Sequence, residues 1–430
     1  MEIIHKETNE DFKQKAVLMG VQLKEDITQS MAELDQLAEA AGCEVVGELI
    51  QKKDRVESAY YIGKGKLEEL KNACDTLNAD LVIFNNELSG MQLRNIEEKL
   101  DLKVIDRTIL ILDIFSQRAV SKEGKLQVEL AQLQYRKSRL VGIGRSLSRT
   151  GGGIGTRGPG EKKLETDRRH ILRRTTEIKS ELETVKKNRQ TQRMRREKSD
   201  IPIVSLVGYT NAGKSTIMNQ LLYMVNKEDK SVFAENMLFA TLDTFQRNIK
   251  LETNEEFILT DTVGFVSKLP HLLIDAFKAT LEEVLYADLI VHVADASYEN
   301  FQFQMDVTQK VLKEIGVESK KIITVFNKMD QINYDDGIIP SGEDILYISA
   351  KHGQGMDKLL DKIKEILFAD VVKVKLLIPF DKGDISSYLC ENTKVANMAY
   401  TENGAFIETE LKQPDYNRYS KFIIEEGENK

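Results

Sequence analysis

Cysteine is scarce in this chain: three residues in 430, Cys43, Cys74 and Cys390, odd in number and far apart. That spacing supports neither a zinc site nor a disulfide framework, and it fits free thiols in a reducing compartment. Long apolar runs are missing too. Nothing approaches the roughly 18 residues of a membrane span. Glu2, His5, Lys6, Glu7 and Glu10 stand where a secretory signal would be apolar. No membrane span and a cytoplasmic location are therefore expected. Positive charge is in the minority, with 61 Lys and Arg against 69 Asp and Glu for a net of −8. A protein basic all over is excluded; a local basic patch is not. The remainder, 41% apolar and 30% charged, is a globular composition whose length predicts about three domains.

The most informative stretch is Gly208-Tyr209-Thr210-Asn211-Ala212-Gly213-Lys214-Ser215. It fits G-x-x-x-x-G-K-[ST] in the context that pattern needs, with an apolar strand-like run at 201–207 before it and a helical segment from Thr216 to residue 224 behind. Glycines let the backbone curl until successive N–H groups point at phosphate oxygens, at the positive end of the following helix. Lys214 then reaches the β- and γ-phosphates as a point charge, and the Ser215 hydroxyl can ligate Mg²⁺.

Residues 1–108 alternate strand-like segments (16–23, 43–50, 81–84, 103–105) with helical ones (27–41, 66–77, 91–100), which implies crossovers and a small parallel sheet. Gly63-Lys64-Gly65-Lys66 lies at a strand-to-helix turn beside Tyr60 and Tyr61. It lacks the third glycine and downstream acid of a dinucleotide site, which leaves a structural or RNA-contact reading.

From about residue 109 to 198 the pattern is long helices. Leu126, Leu130 and Leu133 share a face, and Leu164, Ile171, Ile178 and Val185 recur every seven residues. Between them residues 142–160, with Gly151-Gly152-Gly153 and Gly158-Pro159-Gly160, are expected to be non-helical. An antiparallel hairpin with a long glycine-rich tip satisfies both. From Arg136 to Lys198 it carries 20 Lys and Arg against 7 Asp and Glu, a local +13 within a chain of −8. Arg145, Arg149 and Arg157 lie in the tip; Arg168, Arg169, Arg173, Arg174, Arg193, Arg195 and Arg196 lie on the second arm. Arginine forks suit phosphate, and glycines allow close approach. Without a zinc knuckle, an aromatic RNA-binding pattern or a helix-turn-helix, a large structured RNA read by shape is the expected partner.

Residues 199–368 again alternate, with strands at 203–207, 249–252, 257–261, 289–294, 321–326 and 345–349. Helices fall at 215–224, 271–286, 301–315 and 356–368. This predicts an α/β fold, a doubly wound and mostly parallel sheet with its ligand at the carboxyl ends of the strands. Residues 369–430 predict a small α+β domain.

Further stretches meet at those strand ends. Asp261-Thr262-Val263-Gly264 places an acid able to hold a water on Mg²⁺ and an N–H able to meet the γ-phosphate. Asn327-Lys328-Met329-Asp330 places a carboxylate able to accept from guanine N1–H and its 2-amino group, donors that adenine lacks. Ser349-Ala350-Lys351 can offer a backbone N–H to guanine O6. In this order, each at a strand end, they specify a guanine-nucleotide site.

These residues resemble the motifs of the translation-factor-related GTPases, and one family in particular. GYTNAGKS, Phe239-Ala240-Thr241-Leu242-Asp243, DTVGF, YIGKGK, EGKLQVEL and GGGIGTRGPGE are similar to those of HflX proteins, over about residues 15–368. The resemblance implies a monomeric cytoplasmic GTPase that binds the large ribosomal subunit and its rRNA through the hairpin at 136–198 and can dissociate ribosomes under stress. It also implies that Thr241 closes over Mg²⁺ and the γ-phosphate, so that Lys214, Thr241 and Gly264 carry catalysis. Two departures stand out. Asp243-Thr244-Phe245-Gln246-Arg247 replaces Asp-Pro-Thr-Thr-Arg, which loses a stiffening proline. Phe265 follows Gly264 where many GTPases carry a water-orienting glutamine, so slow hydrolysis stimulated by the ribosome is expected. A ribosome-assembly GTPase that does not split ribosomes, a non-ribosomal signalling switch, and an RNA-remodelling NTPase that also uses ATP are the competing readings.

Overall fold

The computed structural model describes residues 13–147, 159–197, 201–226, 239, 245–251, 255–267, 283–298, 300–317, 320–332, 340–368 and 371–424. The chain divides into two compact units. The first takes in the described parts of Met1–Thr191, Glu235–Asp243 and Val266–Ala279; the second, those of Gln192–Ala234, Thr244–Phe265 and Thr280–Lys430.

The first unit is built on four parallel strands, β1 (Gln14–Gln22), β2 (Cys43–Lys52), β3 (Leu81–Phe84) and β4 (Lys103–Asp106), in the order β2-β1-β3-β4. Helices α1 (Thr28–Ala40), α2 (Lys64–Leu77) and α3 (Gly90–Leu100) make the crossovers. The inner strands β1 and β3 read as unbroken apolar runs because helices cover a parallel sheet on both faces. Edge strand β2 alternates between half-buried and exposed positions. Local signals set the helix ends: Ser89 and Gln92 form a capping box on α3, and Asn78 and Asp101 take the left-handed C-cap positions of α2 and α3.

Helices α4 (Arg107–Arg118), α5 (Lys122–Leu147) and α6 (Pro159–Glu197) follow. Arg189 pairs with Glu123 at 2.8 Å and Arg174 with Glu129 at 2.7 Å, so α5 and α6 run antiparallel. Leu126, Leu130 and Ile178 bury a seam flanked by Leu133 and Leu182, as the leucine face predicts; of the seven-residue repeat, Ile178 is the member found in this seam. One expectation is corrected. Gly142 and Gly144 lie inside α5, and Pro159 and Gly160 open α6, so the break is shorter than residues 142–160. A helical glycine costs only about 1 kcal/mol, and proline suits a first helical position. The tip at 148–158, with Arg149 and Arg157, lies outside the described residues, as do the side chains of Arg145, Arg193, Arg195 and Arg196.

Asp106, fully buried at the end of β4, joins this hairpin to the sheet. Its Oδ1 accepts from the Ile109 N–H at 3.0 Å, which caps α4. Its Oδ2 accepts from Tyr135 Oη at 2.6 Å, Arg139 Nη2 at 2.7 Å and the Leu88 N–H at 3.1 Å.

The second unit holds a six-stranded sheet in the order β10-β9-β8-β5-β7-β6. Its strands are β5 (Ile203–Gly208), β6 (Phe245–Lys250), β7 (Glu256–Asp261), β8 (Leu289–Asp295), β9 (Lys321–Asn327) and β10 (Ile345–Tyr347). All are parallel except β6, which pairs antiparallel with β7 at the edge. That strand starts at Phe245 rather than near 249, because the ladder to β7 extends back to the pair Phe245 and Asp261. Helices α7 (Lys214–Asn226), α8 (Phe301–Glu314) and α9 (Met356–Leu367) are as the sequence predicts; the helix expected at 271–286 is described only from residue 283. An antiparallel sheet of β11 (Val371–Ile378), β13 (Gly404–Lys412) and β12 (Lys394–Thr401), in that order, completes the unit with its own core around Leu376, Leu389 and Ile407. Among the described residues, no helix is long and apolar enough to cross a membrane.

Ile178 is the fully buried residue of the hairpin seam. Ile178→Ala should destabilise the hairpin by about 2–4 kcal/mol, measured as faster amide exchange along α5 with exchange in β5–β10 unchanged.

Candidate nucleotide site

Four loops leave the carboxyl ends of β5, β7, β9 and β10 on one edge of the sheet, and they carry the residues singled out above. The first is the turn from β5 into α7. Gly208 adopts φ +151° and Gly213 φ +95°, and Asn211, at φ +59°, also lies in the left-handed region. A Cβ at Gly208 would collide with the carbonyl of Val293 on β8. Both glycines of the octapeptide are thus required by backbone shape as well as by phosphate approach.

Lys214, the first residue of α7, is buried. Its Nζ donates to the carbonyls of Tyr209 at 2.9 Å and Gly208 at 3.2 Å, which folds the side chain across the loop it serves. Burial lowers its pKa to about 8, and Asp261 opposes that shift. Beside it, Ser215 Oγ donates to Asp261 Oδ2 at 2.6 Å. This hydroxyl and carboxylate are hard oxygen donors side by side at a helix start and a strand end, a donor set that fits Mg²⁺.

The loop after β7 is tied to the first. The Thr210 N–H donates to the Phe265 carbonyl at 2.7 Å, and the Phe265 N–H to the Gly208 carbonyl at 3.2 Å. Gly264 lies so near that a Cβ there would stand 2.5 Å from Thr210 Cα. Thr262 turns inward, its hydroxyl donating to the Leu206 carbonyl at 2.7 Å, and Val263 is buried. Phe265 is 2% exposed, so its ring packs the interior.

The base-reading side forms around Asn327. Its Nδ2 donates to the Ala212 carbonyl at 2.9 Å, and its Oδ1 accepts from the Ala350 N–H at 3.0 Å. With that amide engaged, guanine O6 would have to share it or take a neighbouring one. Ser349 Oγ donates to Asp330 Oδ1 at 2.6 Å and holds that carboxyl below its usual pKa range, so the acceptor for guanine is ionised. Lys328, at φ +65°, pairs through Nζ with Asp295 Oδ2 at 2.7 Å. Lys351 follows Ala350 in a short 3₁₀ turn.

The structure therefore brings together Gly208 to Thr216, Asp261 to Gly264, Asn327, Lys328, Asp330 and Ser349 to Lys351. Thr241, Ala240, Leu242 and Asp243 lie outside the described residues. Phe239 is described, buried in the first unit with its ring edge-on to Phe115 at 4.5 Å. Sequence reading passed over two contributors. Asp295 stands at the last position of β8, where a strand-end acid was the available signal. His292 offers no such signal; it is buried, and burial followed by the Lys214 charge lowers its pKa to about 4, which keeps it neutral.

Comparison with known proteins agrees with this geometry. Residues 28–116 match a family described as GTP-binding GTPase N-terminal, 118–196 its middle region, 203–328 a 50S ribosome-binding GTPase and 339–418 an HflX C-terminal domain. The GTPase HflX of Caldanaerobacter subterraneus subsp. tengcongensis is 48% identical over 413 residues, covering 96% of this chain and 94% of that protein. The GTPase HflX of Escherichia coli K12 is 38% identical over 418 residues, covering 96% of each. A crystal structure of a GTP-binding protein from Sulfolobus solfataricus in complex with GDP is 25% identical, covers 83% of this chain and 99% of its own, and superposes with a TM-score of 0.44.

Two outcomes follow. Bound phosphates favour the ammonium, so the Lys214 pKa is higher in the complex than the value of about 8 without nucleotide. The complex then holds the extra proton: GTP affinity should be level well below pH 8 and fall towards about tenfold per pH unit above it, in a titration with a fluorescent analogue. Asp330→Asn removes two charge-assisted acceptors and should weaken GTP by about 100-fold or more. The same change should improve binding of xanthosine triphosphate, whose C2 carbonyl can accept from the new amide, in a competition assay.

Proposed function

This chain belongs to the HflX family of GTPases, and we propose that it binds the large ribosomal subunit and uses GTP to dissociate or rescue ribosomes, with hydrolysis stimulated by the ribosome. The observation that carries the reading is the pairing of a guanine-nucleotide site with a hairpin that bears +13 between Arg136 and Lys198 in a chain of net −8. The match of residues 203–328 to a 50S ribosome-binding GTPase supports the same partner. Among the described residues, four arginines of the second arm are already paired, Arg169 with Glu165, Arg173 with Glu177, Arg174 with Glu129 and Arg189 with Glu123. The charge open to rRNA phosphate then falls to others, such as the exposed Arg168. We assign the α/β domain to 1–108, the hairpin to 109–198, the G domain to 199–368 and the last domain to 369–430. We expect a cytoplasmic monomer.

In this reading the loop amides from Gly208 to Gly213 and the Lys214 ammonium hold the phosphates. Ser215 and Thr241 would hold Mg²⁺, with Asp261 behind them through a water. When bound, the metal supplies positive charge against the β- and γ-phosphates. Gly264 offers its N–H to the γ-phosphate, and Asp330 reads guanine. Nothing in this set orients the attacking water, because the Phe265 side chain has neither donor nor acceptor and its ring is turned inwards. A partner is needed to complete the site.

Sucrose-gradient sedimentation of intact ribosomes tests the proposal. With a non-hydrolysable GTP analogue the protein should convert 70S particles into subunits and travel with the large one, and GTP turnover should rise at least about tenfold with large subunits. Cosedimentation without splitting would favour an assembly role; no cosedimentation would favour a non-ribosomal switch.

A further inference from the structure

The last residue of β8 carries a charge that neither phosphate binding nor base reading uses. Asp295 is half-buried, and its two oxygens are divided between two partners. Oδ1 accepts from the Ser297 N–H at 3.0 Å and from the Ser297 hydroxyl at 2.6 Å. Oδ2 pairs with Lys328 Nζ at 2.7 Å. Lys328 stands two residues before Asp330, whose carboxylate is assigned to guanine. Asp330 Oδ1 accepts from Ser349 Oγ at 2.6 Å, and its Oδ2 lies 3.6 Å from Nε2 of the exposed His352. All of these residues belong to the second unit.

Strand register does not call for this ion pair. A parallel ladder already joins β8 to β9 from Leu289 and Lys321 to Asp295 and Asn327, and beyond it the Ala296 N–H donates to the Asn327 carbonyl at 2.9 Å. Both charges are partly withdrawn from water, with 13% of the Asp295 side chain and 19% of that of Lys328 exposed. A pair of that kind is weak evidence for stability. What it decides is direction. Lys328 takes φ +65°, a conformation unusual for a residue with a Cβ, and its ammonium reaches back to β8 on one side of β9. Asp330 bonds instead to Ser349, which follows β10 on the other side. A lysine two residues from a carboxylate has a flexible four-carbon stem long enough to fold onto it. An ammonium there would take acceptor sites that the guanine N1–H and 2-amino group need, since each carboxylate oxygen offers only about two.

We propose that Asp295 is a positioning residue that sets guanine specificity. It holds the Lys328 ammonium beside β8, and so keeps both oxygens of Asp330 open to the base; Ser297 fixes Asp295 for that task. The inference rests on the reading of Asp330 as the guanine acceptor.

The test compares GDP with inosine diphosphate, which lacks the 2-amino group, by competition against a fluorescent GDP analogue on purified full-length protein. Asp295→Asn keeps the shape of the side chain and removes its charge. It should weaken GDP about tenfold and inosine diphosphate about threefold or less, so that the preference for GDP falls by at least about threefold. Adding Lys328→Met to Asp295→Asn takes away the displaced ammonium. The preference for GDP should then return, although overall affinity stays low. A preference unchanged in Asp295→Asn would overturn the proposal even if both nucleotides weaken together, because a loop merely loosened gives that result. So would a lowered preference that Lys328→Met does not restore. Failure of the underlying reading of Asp330 looks different: the unaltered protein would bind GDP and inosine diphosphate with equal affinity.

Discussion

The carboxamide of Asn327 bonds in two directions, and the nucleotide site depends on it. One end takes the Ala212 carbonyl of the phosphate loop; the other takes the Ala350 N–H of the base-reading turn. These loops leave β5 and β10, which are separated in the sheet by β8 and β9. A single side chain at the end of β9 thus sets the span between a cradle for phosphates and a carboxylate for guanine. It also explains a glycine that phosphate binding alone does not. A Cβ at Gly213 would run into Asn327 Nδ2, so the second glycine of the octapeptide makes room for a neighbour as well as for a ligand.

Charge at this site is arranged by subtraction. Lys214 is buried and the nearby Asp261 is the group that favours its ammonium. The other basic side chain close by, His292, is kept neutral by burial and by Lys214 itself. Among the described residues the cradle therefore presents the Lys214 ammonium beside its loop amides. The same economy holds on the hairpin, where several arginines spend their charge on glutamates one turn away or on the facing helix. A surplus of basic residues in sequence overstates the positive charge open to a partner.

Most of this was legible because its signals are local. An apolar strand, a turn with fixed residue types and a helix recur at 203–224, and the strand-end motifs at Asp261, Asn327 and Ser349 fall where a parallel sheet must present them. Two local readings missed. Glycines at 142 and 144 suggest a break in a helix that carries them at modest cost, and local pattern puts the start of β6 too late because its extent is decided by its partner β7. A buried network of Glu33, Arg107 and Ser267 left no trace in the sequence. Its members are scattered along the chain, none stands in a motif, and only tertiary folding brings them together. Asp106 is a similar case, an ordinary strand-end acid until the fold sets Tyr135 and Arg139 against it.

The seam that buries Ile178 has a mechanical side. From Ile178 back to Pro159, α6 extends for about 28 Å at 1.5 Å per residue, beyond the point where its packing against Leu126 and Leu130 is tightest. An arm of that length is a lever with its fulcrum at the seam. A tilt of about 4° there displaces the far end by about 2 Å, roughly the difference between a hydrogen bond made and one lost. Amplification runs the other way as well. A load applied at the end of the arm reaches the seam as a torque, and the α5 side chains that Asp106 holds, Tyr135 and Arg139, lie between the seam and that end.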